Sequence, residues 1–181
     1  MAEKLVILSD MWGSKKGLWI TSYLGYLQQY FDIQFHDTQQ LADVDLVVCT
    51  PENLYKAFQN GGMDTAVAQL LNKEKKPCHY LTFCAGGTVV WNAVLQGLPI
   101  KSLYAISPID LPLDAPKPDF PVRLLYGAND TALPSEEWAA SKGVSLEVLP
   151  DYGHELYSDE MIIQKVCLSL LESVIHKKFQ L

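Results

Sequence analysis

Residues 79–87 read HYLTFCAGG, and this stretch decides the fold. His79–Phe83 is a short apolar run of strand length. Gly87–Gln96 follows it with a helical pattern that ends at Gly97 and Pro99. A strand that passes within a few small residues into a helix is the building unit of α/β proteins. The stretch therefore predicts one strand–helix unit of an α/β sheet.

The same alternation of strand and helix extends in both directions along the chain. Most of the short runs are apolar throughout rather than alternating, which indicates a parallel sheet that is covered on both faces. We therefore predict a doubly wound, mostly parallel α/β fold with three layers. The predicted strands are Lys4–Ser9, Ile33–Phe35, Val44–Cys49, His79–Phe83, Leu103–Ile106, Val122–Tyr126 and Leu146–Leu149.

Helical spacing fills most of the chain between these runs. We predict helices at Leu18–Tyr30, at Leu54–Leu71 with a break at Gly61–Gly62, and at Pro134–Ser141. A final helix is predicted to run to about Lys177, with Asp159 as its N-cap. Residues 107–121 contain five prolines and are predicted to form an ordered loop.

Composition limits the classes of function. The chain has 181 residues, 49% of them apolar and 19% charged, which predicts a single globular domain over residues 1–181. A net charge of −7 argues against nucleic acid and anionic membranes as partners. The four cysteines have no CxxC spacing, and no run is apolar enough for a signal peptide or a membrane span. We expect a soluble cytoplasmic protein with reduced thiols.

Cofactor and metal motifs are absent from the sequence. It contains neither GxGxxG after the first strand nor a P-loop, and its histidines lack metal-ligand spacing. We therefore predict no cofactor and no metal.

Three chemically active side chains follow predicted strands. Cys84 comes directly after His79–Phe83, Asp130 follows Val122–Tyr126, and His154 follows the last strand. In open parallel sheets, ligands bind beyond the carboxyl ends of the strands. These positions bring a thiol, a carboxylate and an imidazole to one edge of the sheet.

The order of these residues and their local motifs resemble the α/β-hydrolase superfamily. TFCAG at 82–86 resembles the family's sharp nucleophile turn, usually GxSxG, with Thr82 in place of the first glycine. GAND at 127–130 resembles the acid loop, and YGHE at 152–155 resembles the histidine loop. A cysteine nucleophile resembles the dienelactone-hydrolase branch. The resemblance covers nearly the whole chain and implies an α/β-hydrolase fold that lacks the first two strands and an inserted lid.

The resemblance implies a hydrolase of a small carboxylic ester, thioester or lactone. Cys84 would attack the acyl carbon and form an acyl-cysteine, with His154 as general base and then acid. Asp130 would hold the imidazole in the useful tautomer. Two alternatives stay open: an acyltransferase with the same triad, and a non-catalytic redox-sensing or binding relative of the fold. The expected partner is a small-molecule acyl substrate.

The oxyanion hole and the acid also leave alternatives. Ala85 follows the nucleophile and would supply one backbone N–H. The other would come from the loop after the first strand, where Met11 is favoured over Trp12. Asp130 could instead cap the following helix, with Asn129 or Asp110 as the acid.

Residues after other predicted strands could face the site. Cys49 ends one of these strands. The expected pocket lining is mixed and favours a partly apolar substrate of modest size, and its residues are Trp12, Asn53, Tyr55, Ile109 and Leu111.

Overall fold

The computed structural model describes residues 2–178. Its six strands form one sheet in which every pair of neighbours is parallel. The strand order is β2-β1-β3-β4-β5-β6. The strands are β1 Glu3–Leu8, β2 Phe31–His36, β3 Cys78–Phe83, β4 Ile100–Ile106, β5 Val122–Gly127 and β6 Ser145–Leu149.

Helices cover the sheet on both faces, as the sequence predicted. The chain leaves β1 toward one edge of the sheet, whereas the later crossovers run toward the other edge. Because parallel crossovers are right-handed, α1 lies on one face and α4 and α5 on the other. The last helix, α7, packs against α1. The helices are α1 Trp19–Leu27, α2 Thr38–Leu41, α3 Pro51–Ala57, α4 Met63–Lys73, α5 Ala85–Leu95, α6 Glu136–Lys142 and α7 Glu160–Lys178.

The core lies around the central strands. All six residues of β3 are buried, which explains why this strand is apolar on both faces. An aromatic cluster fills the layer between β3 and α1, where the rings of Trp19 and Tyr23 lie 4.8 and 4.7 Å from Phe83. Tyr157, in the turn before α7, adds its ring at 5.5 Å from Phe83. The packing ties the turn before the last helix to the strand that leads to Cys84.

Most predicted helix boundaries agree with the structure to within a few residues. Asp159 accepts a hydrogen bond from the Met161 amide at 2.9 Å and caps α7, as expected. The predicted break lies between α3 and α4, where Gly61 has a φ of +116°. In the part of the chain that the structure describes, no helix is long and apolar enough to cross a membrane.

The predicted strand Val44–Cys49 was wrong. The segment is irregular, with Val47 fully exposed and Val48 largely so. Its ends are fixed by the Val44 amide, which donates to the carbonyl of Gln39, and by Thr50, whose hydroxyl caps α3. The segment is a short connection between α2 and α3, and it does not pair with the free edge of β2.

Candidate active site

Cys84 lies on a sharp turn between β3 and α5. Its backbone has φ 49° and ψ −126°, a conformation that non-glycine residues rarely adopt. The Cys84 amide donates to the carbonyl of Ile106 at 3.0 Å, which fixes the turn to β4. The turn thus holds the thiol at the N-terminus of a buried helix, in a strained conformation typical of functional sites.

Gly86 and Gly87 let this helix approach the strands closely. A Cβ on Gly86 would lie 2.6 Å from the carbonyl oxygen of Ser9, and one on Gly87 would lie 3.1 Å from the Cβ of Ala105. Backbone atoms cannot move aside without shifting the loop after β1. The sequence CAGG therefore meets a packing requirement of the turn.

Replacing Gly86 with alanine will destabilise the protein by about 1–3 kcal/mol, the usual cost of overpacking. The matched control is Gly25→Ala on α1, where an added Cβ meets nothing within 4 Å. The control will gain up to about 1 kcal/mol because alanine favours a helix. Urea denaturation of both variants measures the difference. Equal stabilities would contradict the close packing at the turn.

Asp130 and His154 meet at the same edge of the sheet. His154 Nδ1 and Asp130 Oδ2 are 2.9 Å apart, and the other Asp130 oxygen accepts the Ala132 amide at 2.9 Å. Asp130 does not cap the next helix, because the Ser135 hydroxyl accepts the Trp138 amide there. The carboxylate is therefore committed to the imidazole.

The two alternative acids lie elsewhere. Asn129 is exposed. Asp110 is also exposed, and its carboxylate accepts a hydrogen bond from the Tyr55 hydroxyl at 2.7 Å. Neither side chain is bonded to His154, which leaves Asp130 as the acid beside the imidazole.

His154 joins the carboxylate to the thiol. Burial disfavours the imidazolium, but the hydrogen bonds and negative charges of Asp130 and Cys84 outweigh it and raise the pKa of His154 to about 10. Cys84 is only 1% exposed, whereas 31% of the His154 side chain is accessible. The imidazole is thus the exposed member of the group, and the thiol lies beneath the surface.

The Asp130 carboxylate is held in its charged form. Burial opposes the charge, but hydrogen bonds from His154 and the Ala132 amide lower the pKa of Asp130 below its usual range. Asp130 is therefore suited to stabilise a protonated imidazole.

The loop after β1 distinguishes the two predicted oxyanion donors. The Trp12 amide donates to the Asp10 carboxylate at 3.1 Å and is therefore occupied. Within residues 2–178, the Met11 amide has no protein acceptor. Ala85 is the first residue of α5, so its N–H has no partner within the helix. Met11 and Ala85 therefore keep their backbone N–H groups without a protein acceptor among the described residues.

Asp10 is a site-edge residue that the sequence analysis did not single out. It is 2% exposed, and the Tyr157 hydroxyl donates to its carboxylate at 3.1 Å. Burial outweighs this bond and the one from the Trp12 amide, and it raises the pKa of Asp10 to about 6. The charge of Glu155 also raises the pKa of Asp10, and the charge of His154 lowers it. The Asp10–Tyr157 bond connects the loop after β1 to the histidine loop.

Replacing Asp10 with asparagine will make the stability of the protein less dependent on pH. Because the folded pKa of about 6 exceeds the ordinary 3.8, wild type loses free energy of unfolding as pH rises through this window. From pH 4 to 7, the stability of Asp10→Asn relative to wild type will increase by about 2 kcal/mol. Urea denaturation across this range measures it, and a difference that stays constant with pH would contradict the burial of a charged Asp10.

The other residues that the sequence predicted near the site lie in different places. Cys49 is exposed in the irregular segment before α3. Tyr55 and Ile109 line a cavity of about 410 Å³ beside α5, whereas Asn53 and Leu111 do not. Across residues 2–178, no group of three His, Cys, Asp or Glu side chains could hold a metal ion.

Comparisons with known proteins establish the fold. A candidate hydrolase of the alpha/beta superfamily from Xanthomonas campestris is 17% identical with a TM-score of 0.67, covering 94% of this chain and 99% of that one. Mouse alpha/beta hydrolase domain-containing protein 10 is 13% identical with a TM-score of 0.68, covering 96% and 90%. A candidate dienelactone hydrolase from Klebsiella pneumoniae is 13% identical with a TM-score of 0.63, covering 94% and 85%.

These likenesses confirm the predicted α/β-hydrolase fold. No protein-family model matches the sequence, and neither does any curated protein.

Proposed function

We propose that the protein hydrolyses a small carboxylic ester, thioester or lactone through an acyl-cysteine intermediate. The observation that carries the proposal is the pairing of His154 with Asp130 at 2.9 Å, close enough to the strained Cys84 turn for Cys84 to raise the pKa of His154. The solved structures that this chain resembles include proteins named as alpha/beta hydrolases and as a dienelactone hydrolase, which supports hydrolysis as the reaction class.

Acylation begins with transfer of the Cys84 thiol proton to His154. The raised pKa of His154 favours the imidazolium that forms. The sulfur attacks the carbonyl carbon and forms an S–C bond while the carbonyl electrons move to oxygen. When the tetrahedral species collapses, the bond to the leaving group breaks and His154 donates the proton to it. The products are an acyl-cysteine and the free alcohol or thiol.

Two backbone amides would stabilise the tetrahedral oxyanion. Ala85 N–H points from the start of α5, and Met11 N–H comes from the loop after β1. The positive end of the α5 dipole adds to the stabilisation. Asp10 orders the second donor indirectly, because its carboxylate fixes the neighbouring Trp12 amide.

Deacylation reverses the proton transfers. Asp130 holds His154 by Nδ1, so Nε2 is the nitrogen that serves the reacting atoms. It takes a proton from water as the water oxygen attacks the thioester carbon. Collapse breaks the S–C bond, releases the carboxylic acid and, with the proton that His154 holds, regenerates Cys84 and His154.

Acyl transfer is the second candidate, and the burial of Cys84 favours it. A thiol that is 1% exposed forms an acyl-cysteine to which bulk water has little access. An alcohol, amine or thiol that enters the site would then compete with water for the acyl group. The triad chemistry is unchanged, and only the acceptor differs.

Turnover of p-nitrophenyl acetate and butyrate tests the proposal. We expect release of p-nitrophenol that depends on Cys84 and His154, followed by hydrolysis of the acyl-cysteine to the carboxylic acid. Formation of the methyl ester in preference to the acid when methanol is added would assign the protein to acyl transfer. No acylation, together with ready oxidation of Cys84 by peroxide, would overturn the proposal and favour a redox sensor.

A further inference from the structure

The cavity beside α5 has the size of a small-molecule site. It encloses about 410 Å³ between the α3–α4 segment, α5 and the loop after β4. None of the three side chains of the proposed mechanism lines it. We call it the α5 cavity.

The α5 cavity begins one helical turn from the proposed nucleophile. Thr88 and Asn92 line it and lie four and eight residues after Cys84, hence on the same face of α5. Four residues of helix span about 6 Å, and helical side chains lean toward the N-terminus, here toward Cys84. The Thr88 hydroxyl donates to the carbonyl of Ile109, which fixes the loop after β4 as the opposite wall. An acyl chain of several atoms bonded to Cys84 would reach this space.

The α5 cavity has an apolar floor and an acidic rim. Phe58 is buried, and Met63 and Ile109 are partly buried beside it. The carboxylates of Asp64 and Asp110 are exposed at the rim. This division suits a ligand with an apolar stem and a polar end.

A hydrogen bond from Tyr55 orients the Asp110 carboxylate at the rim. The Tyr55 hydroxyl donates to Asp110 Oδ2 at 2.7 Å and accepts a hydrogen bond from Gln59 Nε2 at 2.8 Å. This bond to Asp110 raises the pKa of Tyr55, as expected beside a charged carboxylate. The second oxygen of Asp110 accepts no hydrogen bond from the described residues, and it lies near the hydroxyl end of the Tyr55 ring.

No positive side chain balances these carboxylates inside the cavity. None of its lining residues, all within the described chain, is Lys, Arg or His. The neighbouring Lys56 is paired with Glu52 at 2.6 Å. The single arginine of the chain, Arg123, stacks on Tyr104 at 4.0 Å and donates to Ser169. The cavity therefore disfavours an anionic group.

We propose that the α5 cavity binds the acyl chain of the substrate and selects a chain that ends in a cationic ammonium group. The apolar stem lies on Phe58, Met63 and Ile109, and the ammonium group lies between Asp64, Asp110 and the ring of Tyr55. Carboxylates and an aromatic ring are the partners that an ammonium group prefers. This inference rests on the proposed function, because it places the acyl carbon on Cys84.

Three matched p-nitrophenyl esters test the selection. Their acyl groups are γ-trimethylammoniobutyryl, its neutral tert-butyl isostere and the anionic glutaryl group. Because the rim is exposed, we expect a moderate preference, about 10-fold in kcat/KM for the cationic over the neutral ester. The glutaryl ester will be the poorest substrate. The preference will shrink in about 1 M salt, which screens exposed charges.

Two charge-matched double variants separate the effect of the cavity carboxylates from the effect of the protein's net charge. The double variant Asp64→Asn/Asp110→Asn will reduce the ratio of the cationic to the neutral ester to about 2 or less. Asp32→Asn/Asp119→Asn removes two exposed carboxylates outside the cavity and will leave the ratio unchanged. Equal use of the three esters by wild type, or equal ratios in both double variants, would overturn the inference.

The failure of the inference is distinguishable from the failure of the proposed function. The acetyl ester is too short to reach the rim, so its hydrolysis tests only the chemistry at Cys84. Binding of γ-trimethylammoniobutyramide and its neutral isostere to Cys84→Ala, measured by calorimetry, tests only the cavity. Tighter binding of the cationic amide supports the inference even if the acetyl ester is not turned over. Equal or absent binding of the two amides overturns it.

Discussion

Replacing Cys84 with alanine will lower kcat for p-nitrophenyl butyrate by about 10⁴-fold or more, down to the background rate. The reason is that the variant lacks the thiol that forms the acyl intermediate in the proposed mechanism. Cys84 lies close enough to His154 to raise its pKa, and it sits on the strained turn at the start of α5.

The effect must be separated from a loss of folding. Alanine keeps the Cβ, and the Cys84 backbone bond to Ile106 does not involve the side chain. We therefore expect the far-UV circular dichroism of the variant to match wild type. Cys49→Ser, which alters an exposed thiol, is the matched control and will keep full activity. Wild-type turnover in folded Cys84→Ala would rule out the proposed nucleophile.

Replacing Asp130 with asparagine will lower kcat by about 10⁴-fold, the typical cost of removing the orienting acid from such a triad. The Asp130 carboxylate accepts the proton on His154 Nδ1 and stabilises the imidazolium. An amide at this position lacks the charge and can present an N–H that turns the imidazole to the wrong tautomer. Steady-state kinetics of p-nitrophenyl butyrate measures the loss.

Asn129→Ala is the control for this prediction. Asn129 adjoins Asp130 in the sequence, but it is exposed and not bonded to His154. Its removal will leave kcat within about twofold of wild type. If the two variants lost activity equally, the effect would belong to the loop and not to the acid.

The sequence located the three central side chains because each follows a strand by a few residues at most. In a parallel sheet the carboxyl ends of the strands share one edge, so position along the chain translates into position in space. Cys84, Asp130 and His154 were found in this way. Asp10 obeys the same rule after β1 and could have been recognised from it.

Other features depend on contacts that no local pattern encodes. The Tyr157 hydroxyl reaches Asp10 across 147 residues of chain, and the burial of Asp10 outweighs this bond and raises its pKa. The occupied amide of Trp12 follows from the same loop conformation. Val44–Cys49 has the composition of a strand, but it bridges two helices that hold it away from the sheet. Local composition could not show that this segment connects two helices and lies outside the sheet.

The most direct test of the account is the mass of the intact protein after rapid acid quenching of its reaction with p-nitrophenyl butyrate. We predict a transient gain of one butyryl group, which peptide mapping assigns to Cys84 and hydroxylamine removes. His154→Ala will show less adduct, and Cys49→Ser will show as much as wild type. The absence of an adduct during turnover, or an adduct on Cys49 in place of Cys84, would contradict the acyl-cysteine mechanism.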